Sequence, residues 1–108
     1  MYEYKARVVK IIDGDTIDLD VDLGFNITIR VRGRLMDVDT PERGHEDWKL
    51  ATQTLNELIA SERDANGYVA IMTTKTGKYG RWLVKVGNIN KTLAEKWPYR
   101  TAGDEKRS

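Results

Sequence analysis

The sequence predicts a mainly β, α+β domain: a five-stranded barrel capped by two helices, with elements in the order βββ-α-ββ-α. Three observations predict it. Apolar and polar residues alternate through three consecutive segments near the start of the chain. The apolar spacing then turns helical once, reverts to two more short β-favouring runs, and turns helical again before a proline. Glycine and asparagine fall at the joints between these segments. The 108 residues suit one domain. A chain of this size buries somewhat more than ~60% of its unfolded surface, so a single core forms without staples.

Each element follows from its residues. Residues 2–12 are β-favouring, with Ala6 and Val8 alternating against Lys5 and Arg7 before Gly14 interrupts. Over 17–23, Ile17, Leu19, Val21 and Leu23 take one face and Asp18, Asp20 and Asp22 the other. The third strand is expected over 27–31, with Thr28, Arg30 and Arg32 outward. Residues facing each other across an antiparallel pair point the same way, which a three-residue loop Gly24-Phe25-Asn26 satisfies. That loop sets Asp20 opposite Arg30, Asp18 opposite Arg32 and Arg34 beside Thr16, so the acidic ladder reads as cross-strand charge pairs. Asp15 shares parity with the apolar face and Arg34 with the polar one; a strand end or bulge has to reconcile them. Over 46–61 Trp48, Ala51, Leu55, Leu58 and Ile59 form one helical stripe expected to pack in the core. Strands are expected at 68–73 and 81–86, joined by the polar turn 74–80, and a second helix at 89–97 stopped by Pro98. The domain is placed at 1–100, with a polar, disordered tail at 101–108. This order suits a closed or nearly closed barrel of the OB type.

Composition narrows the chemistry. Without cysteine there are no disulfides or thiolate metal sites, and one histidine does not build an ordinary zinc site. Any metal must be a hard cation held by oxygen. Net charge is only +1, but residues 1–54 hold eight Lys/Arg against eleven Asp/Glu, and residues 55–108 ten against six. No window of about twenty apolar residues spans a membrane, and no charged-then-apolar leader opens the chain. The expectation is a cytoplasmic monomer away from membranes, a processed secreted form being the alternative.

Three segments carry candidate chemistry. Asp13-Gly14-Asp15-Thr16 sets two carboxylates around a glycine at a bend, where both can approach one cation. It is no EF-hand loop, because counting from Asp13 the glycine position holds Asp18 and the closing glutamate position holds Gly24. Residues 34–42, from Arg34 through Asp37, Asp39 and Thr40 to Pro41 and Glu42, cluster an arginine and carboxylates where a strand ends. Lys78-Tyr79-Gly80-Arg81 brings an arginine into the next strand after a glycine turn.

Together, in this order and spacing, the three segments resemble the staphylococcal nuclease (thermonuclease) family. The likeness runs over most of residues 5–97. It implies an OB-fold barrel and hydrolysis of DNA and RNA, usually with calcium; magnesium and manganese are the alternatives. It implies that Asp15 and Asp39 are direct metal ligands, with the Thr40 carbonyl as a third. Glu42 resembles the residue that orients or deprotonates the attacking water, and Arg34 and Arg81 resemble the arginines that grip the phosphate. Lys78, Tyr79 and Tyr99 are expected to contact substrate, the tyrosines by stacking on bases.

The physics suits each role. Calcium takes six to eight oxygens, so two carboxylates and a carbonyl leave room for water and a phosphate oxygen. Planar guanidinium forks match phosphate oxygens, and a carboxylate can take a proton from water. Two ligand carboxylates repel each other without metal, so removing one is expected to raise the melting temperature. The chain departs from the family at Asp37, where glycine or an aliphatic residue is usual, in a short stretch over 43–48, and in ending soon after the second helix. His45 reads as a surface residue, Trp48, Trp82 and Trp97 as core. The competing function is a non-catalytic OB module binding nucleic acid or protein.

Overall fold

The computed structural model describes residues 2–74 and 82–99; Lys78, Tyr79, Arg81 and the 101–108 tail lie outside the described residues. Five strands, β1 (Tyr2–Asp13), β2 (Thr16–Gly24), β3 (Ile27–Leu35), β4 (Val69–Thr73) and β5 (Trp82–Val86), close in the order β1-β2-β3-β5-β4. This is the expected OB-type barrel. Two helices, α1 (Trp48–Glu62) and α2 (Ile89–Lys96), cap it. All pairings are antiparallel except β3–β5, which run parallel through Gly33–Trp82, Arg34–Leu83 and Leu35–Val84.

The alternation in β2 does what its parity requires as far as Val21, while Leu23, on the same face, is exposed beside the turn. Ile17, Leu19 and Val21 are fully buried, and with Ala6, Leu35, Ile71, Val84 and Val86 they fill the barrel. From α1 the stripe contributes Ala51, Leu55 and Ile59, and from α2 Ile89 and Leu93. Trp82 and Trp97 pack against this core, half-buried. Trp48 does not join it. Its indole Nε1 donates to Asp13 Oδ1 at 2.8 Å, so it bolts the start of α1 to the end of β1. An amphipathic indole satisfies its one donor at the margin of a core better than inside it.

The β2–β3 register is the one the charge ladder demands: Asp18 opposite Arg32, Asp20 opposite Arg30, Thr16 opposite Arg34. Asp18 accepts from Arg32 Nε at 2.8 Å, and Asp20 pairs with Arg30 through Nε and Nη2. The expected three-residue loop is instead a two-residue turn with a bulge at Gly24, which pairs with Ile27. Phe25 and Asn26 both have positive φ, 53° and 62°, the sign pattern of a type I′ turn. Both versions keep the facing parity, which is why the register is the same.

These ion pairs have a pH signature. Hydrogen bonds from Arg32 and Arg30 hold the Asp18 and Asp20 carboxyls below the usual carboxylate range. A depressed folded pKa gives stability that is present above the unfolded value of about 4 and is lost as pH falls through the folded one. An Asp18→Asn/Asp20→Asn protein should therefore melt slightly below the parent at pH 7. The gap should close as pH falls below about 4, and also shrink in high salt because the pairs are exposed. Parallel melting curves across that range check it.

Candidate active site

The site forms where β3 ends. Gly33, Arg34 and Leu35 extend the third strand beyond its expected limit and lie between β2 and β5. Gly33 sits inside the barrel, where a Cβ would approach Val84 and Leu19 at 3.2–3.4 Å. Arg34 consequently stands at the seam, opposite Thr16 on one side and Leu83 on the other. Asp15 lies in the tight turn between β1 and β2, outside either strand. Its carbonyl accepts from Leu35 N–H at 2.7 Å. A strand end thus resolves the parity conflict between Asp15 and Arg34.

Gly14 makes that turn possible. A Cβ there would lie 2.9 Å from Ala51 Cβ of α1 and from both Thr40 Cγ2 and Oγ1. Any side chain would collide with helix and loop together. Of the two carboxylates that flank Gly14, Asp13 accepts from the Trp48 indole, while Asp15 faces Arg34.

The loop after β3 is held by backbone bonds to the end of the chain's second cap. Asp39 N–H donates to the Trp97 carbonyl at 3.0 Å, Tyr99 N–H to the Asp37 carbonyl at 3.1 Å, and Val38 bridges Pro98. Buried Asn90 ties three parts together. Its Oδ1 accepts from Val86 N–H, while its Nδ2 donates to the Met36 and Val84 carbonyls at 2.8 and 3.0 Å. Nothing in the sequence pattern singles Asn90 out; an asparagine in the first turn of a helix reads as surface.

Four of the expected site residues, Asp15, Arg34, Asp39 and Thr40, meet. Arg34 Nη1 is 3.4 Å from Asp15 Oδ2 and donates to the Val38 carbonyl at 2.9 Å. Arg34 Nη2 reaches Asp39 Oδ1 at 3.5 Å. Asp15 is buried; its Oδ2 also accepts from Thr40 N–H at 3.1 Å and its Oδ1 from Thr16 Oγ1 at 2.9 Å. Asp39 is exposed, and the exposed Tyr99 ring lies 5.9 Å from the Arg34 guanidinium. Thr40 is buried, with an Oγ1 that has no hydrogen-bond partner among the described residues.

Glu42 stands apart. It is exposed, and among the described residues its carboxylate makes no hydrogen bond or ion pair with Asp15, Asp39 or Arg34. Asp37 is exposed too, with φ 65°, in the left-handed region that glycine adopts most easily. His45 is on the surface as expected, where its Nδ1 accepts from Asp47 N–H at 3.0 Å.

The donor set fits an oxygen-seeking divalent cation. Two carboxylates converge on one guanidinium, so the spot between them is one that a positive group already occupies. Two carboxylates are short of a full shell, and no group of three metal-ligating side chains forms among the described residues. Carbonyl, water and phosphate oxygens would have to complete it, which is how an open site differs from a structural one.

The chain is similar in sequence to several known proteins. The chain is 36% identical over 96 residues to "Protein ParB" of Escherichia coli, covering 89% of this chain and 48% of that protein. It is 32% identical over 117 aligned positions to a micrococcal nuclease of Shigella flexneri, covering 94% of this chain and 62% of that one. It is 30% identical over 81 residues to an uncharacterized endonuclease of Escherichia coli O157:H7, covering 75% of this chain and 46% of that protein. The chain thus spans about half to three fifths of the length of these relatives. No family model matches it. No helix among the described residues is long and apolar enough to cross a membrane.

Proposed function

We propose that this chain, a member of the staphylococcal-nuclease-like proteins, is a metal-dependent nuclease domain that hydrolyses phosphodiester bonds of DNA, RNA or both. The observation that carries the proposal is Arg34, held by its two terminal nitrogens between a buried and an exposed carboxylate at the barrel seam. The 32% identity to a micrococcal nuclease supports it independently.

In this reading Asp15, Asp39 and the Thr40 carbonyl hold the cation, calcium by family resemblance and magnesium or manganese otherwise. When bound, such a cation neutralises phosphate charge and makes water more acidic. The protein's residues do the rest. The Asp15 carboxylate is fixed by Thr16 and Thr40 before substrate arrives, so little reorganisation is left for the reaction. Arg34 shifts its fork from the carboxylates to the phosphate oxygens, where charge builds as the water oxygen bonds to phosphorus. Glu42 accepts or orients the proton of that water; being exposed on its loop, it is free to swing toward the phosphate. The phosphorus–oxygen ester bond then breaks, and a proton goes to the leaving oxygen. Arg81 supplies the second guanidinium, and Lys78, Tyr79 and Tyr99 grip the neighbouring nucleotide.

The test is an incubation with single-stranded DNA, plasmid and RNA in calcium, magnesium, manganese or chelator. Cleavage that depends on one of the metals and stops in chelator is the expected result. Tight, salt-dependent binding without cleavage in every metal would overturn the enzyme and leave a binding module of the OB type.

A further inference from the structure

A groove of about 490 Å3 runs between β1 and α1 on the flank of the barrel. Lys10, Lys49 and Arg63 line it, and no carboxylate does. Asp18 sits opposite Lys10 across the β1–β2 pair but is itself bound to Arg32, and Asp13 is bound to the Trp48 indole. Polar groups suited to sugar and base edges come from α1: Gln53 and Asn56 follow Lys49 at i+4 and i+7, on one helix face.

The strand side is shaped by a bulge. The β1–β2 register shifts between Val8 and Lys10, so Val9 is left without a partner. Four consecutive residues, Val8 to Ile11, border the groove there, and Val9 is 47% exposed within it. Trp48 also lines the groove, and its indole is pinned by Asp13, two residues before Asp15, so this end of the groove approaches the turn that carries the active site. Arg43 stands 5.0 Å over the Trp48 ring and adds a fourth cation at that end.

We infer that this groove binds the single-stranded nucleic-acid chain leading away from the scissile phosphate. The inference rests on the nuclease reading for where the strand comes from. Three cations track a phosphate backbone, while the exposed Val9 and the Trp48 edge give unpaired bases an apolar surface to lie on. A duplex keeps its bases stacked inside and gains nothing from that surface. An acidic peptide would satisfy the cations and leave the amides and the apolar rim unused.

The experiment measures binding of an oligothymidylate of about 12 nucleotides, in chelator so that nothing is cut. It compares the parent with Lys10→Gln/Lys49→Gln/Arg63→Gln and with a charge-matched control, Lys5→Gln/Lys85→Gln/Lys91→Gln. The groove variant should bind about tenfold or more weakly, and its log–log salt slope should flatten by roughly 2, at ~0.7 per lost phosphate contact. The control should keep its slope, and turnover of a small aryl phosphodiester with calcium should be unchanged in all three proteins. Equal slopes in parent and groove variant, an equal loss in the control, or a parent that does not bind the oligomer would each overturn the inference. A loss as large on G·C-rich duplex would also overturn it. Groove-dependent binding by a parent that cuts nothing in any metal would sink the nuclease reading and leave the groove standing.

Discussion

Asp39→Ala should lower the rate of phosphodiester cleavage ~100-fold or more while leaving the barrel folded and within about 1 kcal/mol of its parent. The two halves have separate causes. As a proposed metal ligand, Asp39 supplies one of only two carboxylates, and an open site with half its fixed charge gone holds a cation poorly. As a structural residue Asp39 does little with its side chain. It is exposed, its ion pair to Arg34 is 3.5 Å long, and the bond that holds the loop runs from its backbone N–H to Trp97, which alanine keeps.

Asp15→Ala should be as inactive but also less stable. Its carboxylate is buried and accepts from Thr40 N–H and Thr16 Oγ1, so removal strands a buried donor at ~1–3 kcal/mol. Expectation from sequence alone has the opposite sign, with stability rising as repulsion is relieved. Arg34 changes that, because it already lies between the two carboxylates. Melting curves and rates of both variants, with calcium and with chelator, decide the matter. A folded Asp39→Ala protein with full activity would end its assignment as a ligand.

What was legible in the sequence was what repeats or what is local. Strict alternation over Ile17–Val21 and the parity of the turn at Gly24 specify the β2–β3 register, and with it the Asp–Arg ladder. The helical stripe specifies the buried face of α1. The third strand is expected only to Val31, yet it runs on to Leu35, with Gly33 turned inward between Leu19 and Val84. The site itself was named by motif, and Asp15, Arg34 and Asp39 do meet. Single long-range contacts have no period to read. Asn90 reaching Met36, Trp48 reaching Asp13 and Val38 bridging Pro98 depend on closure of the barrel, which only the folded chain brings about. Glu42 shows the converse: its spacing from Asp39 fits the family, yet its carboxylate rests in solvent away from Arg34.

Arg34→Lys should leave a folded protein whose turnover falls ~10²–10³-fold, with a much smaller change in the Michaelis constant. The guanidinium now serves three oxygens at once: the Val38 carbonyl at 2.9 Å, Asp15 at 3.4 Å and Asp39 at 3.5 Å. A lysine ammonium can still reach one or two of them, so the charge between the carboxylates persists and the fold survives. What it lacks is a planar pair of donors held at fixed spacing, which is the feature that follows two phosphate oxygens as charge develops on them. If Arg34 acts mainly in the transition state, turnover and turnover over Michaelis constant fall together. Kinetics on a single-stranded oligomer at saturating calcium separate the two quantities. A Michaelis constant raised ~100-fold with turnover intact would mean that Arg34 only anchors substrate, and the site's selective grip on the reacting phosphate would then have to come from elsewhere.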